Sequence, residues 1–120
     1  YVASELAGKV YAIDVAAGRV VAEIPAGQFP NGVAVHPDGR RVFVSNGRDG
    51  SVMAIDVASN AVVATIPVGK RPWNMALTPD GAKLYVANGR SGTVSVIDTS
   101  RRQALGDIAV GELPWGVAIR

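Results

Sequence analysis

Phe43-Val44-Ser45-Asn46-Gly47-Arg48-Asp49-Gly50-Ser51-Val52-Met53-Ala54-Ile55-Asp56 returns as Tyr85-Val86-Ala87-Asn88-Gly89-Arg90-Ser91-Gly92-Thr93-Val94-Ser95-Val96-Ile97-Asp98. The offset is 85 − 43 = 42 residues, and the same offset backwards lands on Tyr1-Val2-Ala3-Ser4 and Asp14. Gly8/Gly50/Gly92, Val10/Val52/Val94, Gly27/Gly69/Gly111 and Pro30/Pro72/Pro114 keep the frame without an insertion or deletion. So many columns in register make the period the first fact about the fold.

Working outward from this stretch, each period reads as strands separated by tight turns, with no long helical apolar spacing. Gly32 to Val35 is a short apolar strand, stopped by Pro37-Asp38-Gly39, where Pro presets the turn and Gly accepts a positive φ. Arg41 to Ser45 returns antiparallel, Ser51 to Asp56 forms a third strand and Ala61 to Ile66 a fourth. The turn before the fourth strand ends in Gly18, Asn60 or Arg102. Gly and Asn tolerate the left-handed conformation expected there, and Arg102 is a local misfit. Asp14, Asp56 and Asp98 begin these turns and are expected to bond their backbone amides.

Four short antiparallel strands per 42 residues, repeated without helices, predict an all-β propeller blade. Residues 1–120 then form a single propeller segment with repeats 1–42, 43–84 and 85–120, the last incomplete. With strands named a to d from the shaft outward, the expected order is bcd-abcd-abcd-a, and Trp115 to Ile119 is the final innermost strand. Propellers use about 4 to 8 blades, so two readings of the ends stand side by side. Either the native ring carries further blades on the same chain, or two copies make a six-bladed homodimer in which Trp115–Ile119 completes a blade begun by Tyr1–Ser4 of the other. Both expect an isolated chain to expose apolar blade faces, exemplified by Val10, Ile13, Val117 and Ile119.

Composition narrows the function classes. The net charge is +2, from 12 Lys+Arg against 10 Asp+Glu, too little by itself to imply nucleic acid. The absence of cysteine excludes disulfides, thiolate metal sites and a thiol nucleophile. No apolar run reaches the ~18 residues of a membrane span.

The strings Phe43-Val44-Ser45-Asn46 and Tyr85-Val86-Ala87-Asn88, with Ala54-Ile55-Asp56, Val96-Ile97-Asp98 and the two Pro-Asp-Gly turns, resemble the YVTN β-propeller repeat, a group that includes YncE-like proteins. The resemblance covers essentially the whole chain. It departs at Ser4-Glu5-Leu6-Ala7, which lacks the Asn-Gly of the later copies. It implies a binding or protein-interaction scaffold, commonly periplasmic, extracellular or at the cell surface, with DNA binding described for YncE-like relatives. Similar propellers also occur beside haem or quinone cofactors and as metal-dependent lactonases, which makes a redox or lactonase-type enzyme, with its catalytic residues outside residues 1–120, an alternative function.

Function in such a fold is expected on loops. The loops 25–31, 67–73 and 109–115 share one end of the blades with the loops 5–8, 47–50 and 89–92. The candidate ligand-binding residues there are Trp73, Trp115, Asn31, Asn74, Arg48, Arg90, Lys70 and Arg71. Trp73 and Trp115 either pack between blades or form a ligand platform. With the four cations they would suit an anion or single-stranded nucleic acid, the cations holding phosphates and the rings stacking bases. No catalytic residue, metal site or cofactor is read from the sequence. The only histidine, His36, lies in a turn and reads as structural, and the recurring aspartates are accounted for by turn capping.

Overall fold

The computed structural model describes residues 1–120 and is built of strands and turns throughout. The strands are β1 (Val2–Ser4), β2 (Lys9–Asp14), β3 (Arg19–Pro25), β4 (Pro30–Val35), β5 (Arg41–Asn46), β6 (Ser51–Asp56), β7 (Ala61–Pro67), β8 (Pro72–Leu77), β9 (Lys83–Asn88), β10 (Thr93–Asp98) and β11 (Gln103–Ala109). They form three antiparallel sheets, β1-β2-β3, β4-β5-β6-β7 and β8-β9-β10-β11. These are three consecutive propeller blades, the first without an innermost strand.

The outer hairpin of every blade has the same construction. The register between the third and fourth strands slips after Ala12, Ala54 and Val96, so Val21, Val63 and Leu105 are each the extra residue of a bulge and turn outward. The turns close as the sequence predicts. Asp14 accepts from the Ala17 amide, Asp56 from the Ser59 amide and hydroxyl, and Asp98 from the Ser100 and Arg101 amides. Gly18, Asn60 and Arg102 all take the left-handed conformation. Arg102 therefore bears a cost that its glycine counterpart escapes, roughly 1–2 kcal/mol.

Blades pack face to face through two apolar clusters. Val10 and Ile24 of the first blade meet Val42, Val44, Met53 and Ile55 of the second. Phe43, Val52, Ala54 and Ile66 on the other face of the second meet Met75, Leu84, Val86 and Ile97 of the third. Alternation along a strand makes this possible: even positions of β6 face one neighbour and odd positions the other. Each fully buried Val, Ile or Phe contributes about 1.5–3 kcal/mol.

Near the shaft the blades interlock through polar groups. The buried Ser45 hydroxyl accepts from the Gly32 N–H at 2.9 Å and donates to the Trp73 carbonyl at 2.5 Å. A Cβ on Gly32 would lie 2.4 Å from that carbonyl, so only glycine lets β4 and β8 approach this closely. At the end bearing the Pro-Asp-Gly turns, His36 Nε2 donates to the Gly81 carbonyl at 3.1 Å, and Thr99 donates to the same oxygen at 2.6 Å. Arg41 reaches across from the second blade to the Thr99 carbonyl at 2.8 Å. His36 is thus a buried strut between blades.

Three expectations are corrected. Trp115–Ile119 forms no strand, because an innermost strand bonds only to the second strand of its own blade and residues 1–120 supply none there; the order is bcd-abcd-abcd. Val10 is fully buried, since it shares the even face of β2 with Ala12 and points at the second blade, whereas Ile13 is exposed as expected. The inner strands begin at Pro30 and Pro72 rather than beyond them, each proline pairing with an asparagine before a register slip.

Candidate functional site

The end opposite His36 is assembled by repeated loop-to-loop bonds. The Gly47 N–H donates to the Phe29 carbonyl and the Arg48 N–H to the Gln28 carbonyl; one blade on, Gly89 and Arg90 do the same to Arg71 and Lys70. A side chain adds a third tie: Asp49 accepts from the Gln28 amide at 2.7 Å, and Ser91 accepts from the Lys70 amide at 2.6 Å. The first two interblade loops are thereby each fastened along the second-to-third-strand loop of the blade that follows.

The residue before each recurring proline has strained backbone. Phe29, Arg71 and Leu113 all have φ between 51° and 57°, and each immediately precedes a proline. A left-handed non-glycine residue costs of order 1–3 kcal/mol, and the carbonyls of Phe29 and Arg71 are turned to accept the glycine amides. The sequence signal for this column, a proline recurring every 42 residues, was visible; the conformation ahead of it was not.

The loops place Arg48, Lys70, Arg71 and Arg90 around one groove of about 830 Å³, whose lining contains a single carboxylate, Asp49. That carboxylate is already engaged by the Gln28 amide. The Arg48 guanidinium lies 4.2 Å over the Phe29 ring and that of Arg71 lies 5.5 Å from it, a cation–π arrangement worth about 0.5–1 kcal/mol per pair at exposed sites. Glu5 approaches Arg71 at 3.8 Å. Asp49 thus lines the groove, and Phe29 and Glu5 contact its cations, though none of the three is in the candidate set.

The other candidates stand elsewhere. Trp73 and Trp115 meet each other, ring centroids 4.4 Å apart and planes tilted by 49°. Trp73 is half-buried with its six-membered ring against Gly89, where a Cβ would be 2.4 Å from the ring, while Trp115 is 68% exposed. Asn31 and Asn74 are exposed, and Asn74 accepts from the Met75 amide. None of these four lines the cationic groove, so the cations converge and the tryptophans pair apart from them.

Residues 1–110 match the family described as lactonase, 7-bladed beta-propeller. The chain belongs to the seven-bladed β-propeller lactonase family. Among solved structures similar to this family member is Kuenenia stuttgartiensis hydrazine synthase, at 28% identity and a TM-score of 0.90 over 93% of the chain and 33% of that protein. Dihydro-heme d1 dehydrogenase NirN in complex with DHE is similar at 25% identity and a TM-score of 0.75, over 92% of the chain and 26% of NirN. Apo AztD from Citrobacter koseri shares the fold at 20% identity and a TM-score of 0.68, over 78% of the chain and 27% of AztD. The chain thus spans about a third or less of each of these relatives. No curated protein matches significantly.

A metal of the kind used by some propeller lactonases does not fit these residues. No three His, Asp or Glu side chains converge, and Asp14, Asp56 and Asp98 each cap the turn of a different blade.

Proposed function

We propose that this propeller segment is a binding scaffold that receives an anionic group, a phosphate or a carboxylate, in the groove between residues 47–50, 67–71 and 90–91. The observation that carries the reading is the convergence of four cations from two blades on one concavity lined by one carboxylate, Asp49, with Glu5 beside Arg71 the only other carboxylate paired to them. Arginine supplies paired donors for planar or tetrahedral oxyanions. Backbone fixed by the loop-to-loop bonds spares the ligand much of the cost of ordering them.

The repeat is read as YVTN-type, and export to the periplasm or cell surface is the compartment that this resemblance suggests. Single-stranded nucleic acid is the weaker ligand, because base stacking would require open aromatic faces beside the phosphates: the Phe29 ring is covered by the Arg48 guanidinium, and the tryptophans pair outside the groove. Family membership favours a second reading, lactone chemistry in the whole protein. Here the histidine is committed to Gly81 at the opposite end, so this segment would contribute binding of the acid group and other residues the chemistry.

Calorimetric titration with inorganic pyrophosphate tests the proposal. Binding should weaken as salt rises, and replacing Lys70 and Arg90 together by glutamine should weaken it at least tenfold, about 1.4 kcal/mol, the low end for charge-assisted bonds. Binding that survives the double replacement unchanged, or no binding by the parent chain at millimolar ligand, would sink it.

A further inference from the structure

The cationic groove between the second and third blades has a counterpart between the first and second, closed by the same pair of loop-to-loop bonds and about 330 Å³ in volume. Its lining carries no cation and contains Glu5 and Asp49. One construction thus gives a cationic and an acidic groove side by side on one end of the blades. Asp49, which lines both grooves, stands in the same column as Ser91. Each side chain fastens an interblade loop, Asp49 through the Gln28 amide at 2.7 Å and Ser91 through the Lys70 amide at 2.6 Å. They differ in what remains once that bond is made. An ionised carboxylate only accepts, whereas a hydroxyl that accepts from an amide still has its own proton to donate. Ser91 is exposed and lines the cationic groove.

Resting on the anion-binding reading of this same groove, we propose that it selects a doubly charged tetrahedral oxyanion, of the phosphate or sulfate type, and that Ser91 is the residue that sets the selection. Charge balance gives the count. Arg48, Lys70, Arg71 and Arg90 bring four positive charges, and Asp49 and Glu5 offset two of them, which leaves two for a ligand to neutralise. A dianion matches both, and its oxygens accept from the arginine forks and from the Ser91 hydroxyl together. An aspartate at position 91 would hold the Lys70 amide as Asp49 holds that of Gln28, but would offer the anion a like charge in place of a donor. Position 91 therefore separates what the loop needs in order to fold from what the ligand needs in order to bind.

Sulfate and methanesulfonate share a tetrahedral head and differ by one charge. At fixed ionic strength, sulfate should displace bound inorganic pyrophosphate at a concentration about tenfold lower than methanesulfonate does. Ser91→Asp should keep the urea midpoint of the parent and lower pyrophosphate affinity about tenfold, while the reverse exchange, Asp49→Ser, should raise it roughly threefold. The displacement series and Asp49→Ser read the proposal without a folded Ser91→Asp chain. If the parent binds pyrophosphate but the two competitors act equally, or if Ser91→Asp binds as the parent does, the selection is overturned and the anion groove stands. No pyrophosphate binding by the parent overturns both.

Discussion

Ser45→Ala removes one oxygen from the closest approach of two blades, and its cost can be worked out from the contacts that oxygen makes. The hydroxyl is fully buried, accepts from the Gly32 N–H and donates to the Trp73 carbonyl. Loss of it leaves two backbone groups of adjacent inner strands without this partner, at a junction so close that a Cβ on Gly32 would lie 2.4 Å from the Trp73 carbonyl. A buried polar group left unsatisfied costs about 1–3 kcal/mol, so the pair costs about 2–6 kcal/mol. With a urea m-value of about 2 kcal/mol/M for a domain of this size, the unfolding midpoint should fall by about 1–3 M. Ser59→Ala is the control: its hydroxyl is exposed and bonds only Asp56, so its midpoint should move by less than about 0.5 M. Trp73 lies on the affected strand, so tryptophan emission reports the same transition from the junction itself. A Ser45→Ala midpoint within 0.3 M of the parent (about 0.6 kcal/mol at that slope) would show that the two strands are held by apolar packing alone, and would refute the assignment of Ser45 as the interblade tie.

Gly39→Ala and Gly81→Ala separate backbone strain from close approach. Both glycines have φ near +70°, but a Cβ on Gly39 meets open space while one on Gly81 would lie 2.4 Å from His36 Nε2. Chemical denaturation should show a loss of about 1–2 kcal/mol for Gly39→Ala and a further 1–3 kcal/mol or so for Gly81→Ala, from breaking the His36 bond; equal losses would mean that His36 is no strut. Acid titration of stability tests the aspartate caps. The Asp56 carboxyl is held below its ordinary value by the Ser59 hydroxyl and amide, and those of Asp98 and Asp38 chiefly by the Arg101 and Arg40 amides. A depressed folded-state value means stabilisation that is complete above about pH 4, the unfolded-state value, and lost as pH falls through the lower folded-state values. Stability should therefore be level near neutrality and decline below about pH 4, with Asp56→Asn reducing the slope of that acid limb; an unchanged slope would remove Asp56 from the account.

The fold was legible because a propeller repeats its constraints. Strand, turn and bulge positions recur at 42-residue spacing, and the left-handed turn residue could be read from Gly18 and Asn60 even though Arg102 breaks the pattern. The failures have physical causes too. Trp115–Ile119 carries a strand sequence, but a strand needs a partner, and pairing is a property of the neighbour rather than of the segment. Val10 was expected at an open face because its apolar character is visible while its parity toward the second blade depends on register. The site was half legible. Arg48, Lys70, Arg71 and Arg90 could be assigned to one end by strand direction; that the tryptophans pair beside Gly89 and away from the cations depends on side-chain directions that spacing does not encode.

What distinguishes the cations from scaffold is the comparison between repeats. Leu6 stands in the column of Arg48 and Arg90, Gln28 and Glu112 in that of Lys70, and Phe29 and Leu113 in that of Arg71. The backbone does not register the exchange: Phe29, Arg71 and Leu113 keep φ within a few degrees of one another, and Gln28 and Lys70 accept the same amide bond through the same carbonyl. The tie to the interblade amide is likewise made by Asp49 in one blade and Ser91 in the next. A loop that folds identically with Phe, Arg or Leu does not need arginine for folding. Four cations face one groove, while the first-repeat residues in their columns, Leu6, Gln28 and Phe29, carry no charge; the charge is therefore a property of the surface that the second and third blades present, and it is on that surface, not in the repeat, that a ligand is to be sought.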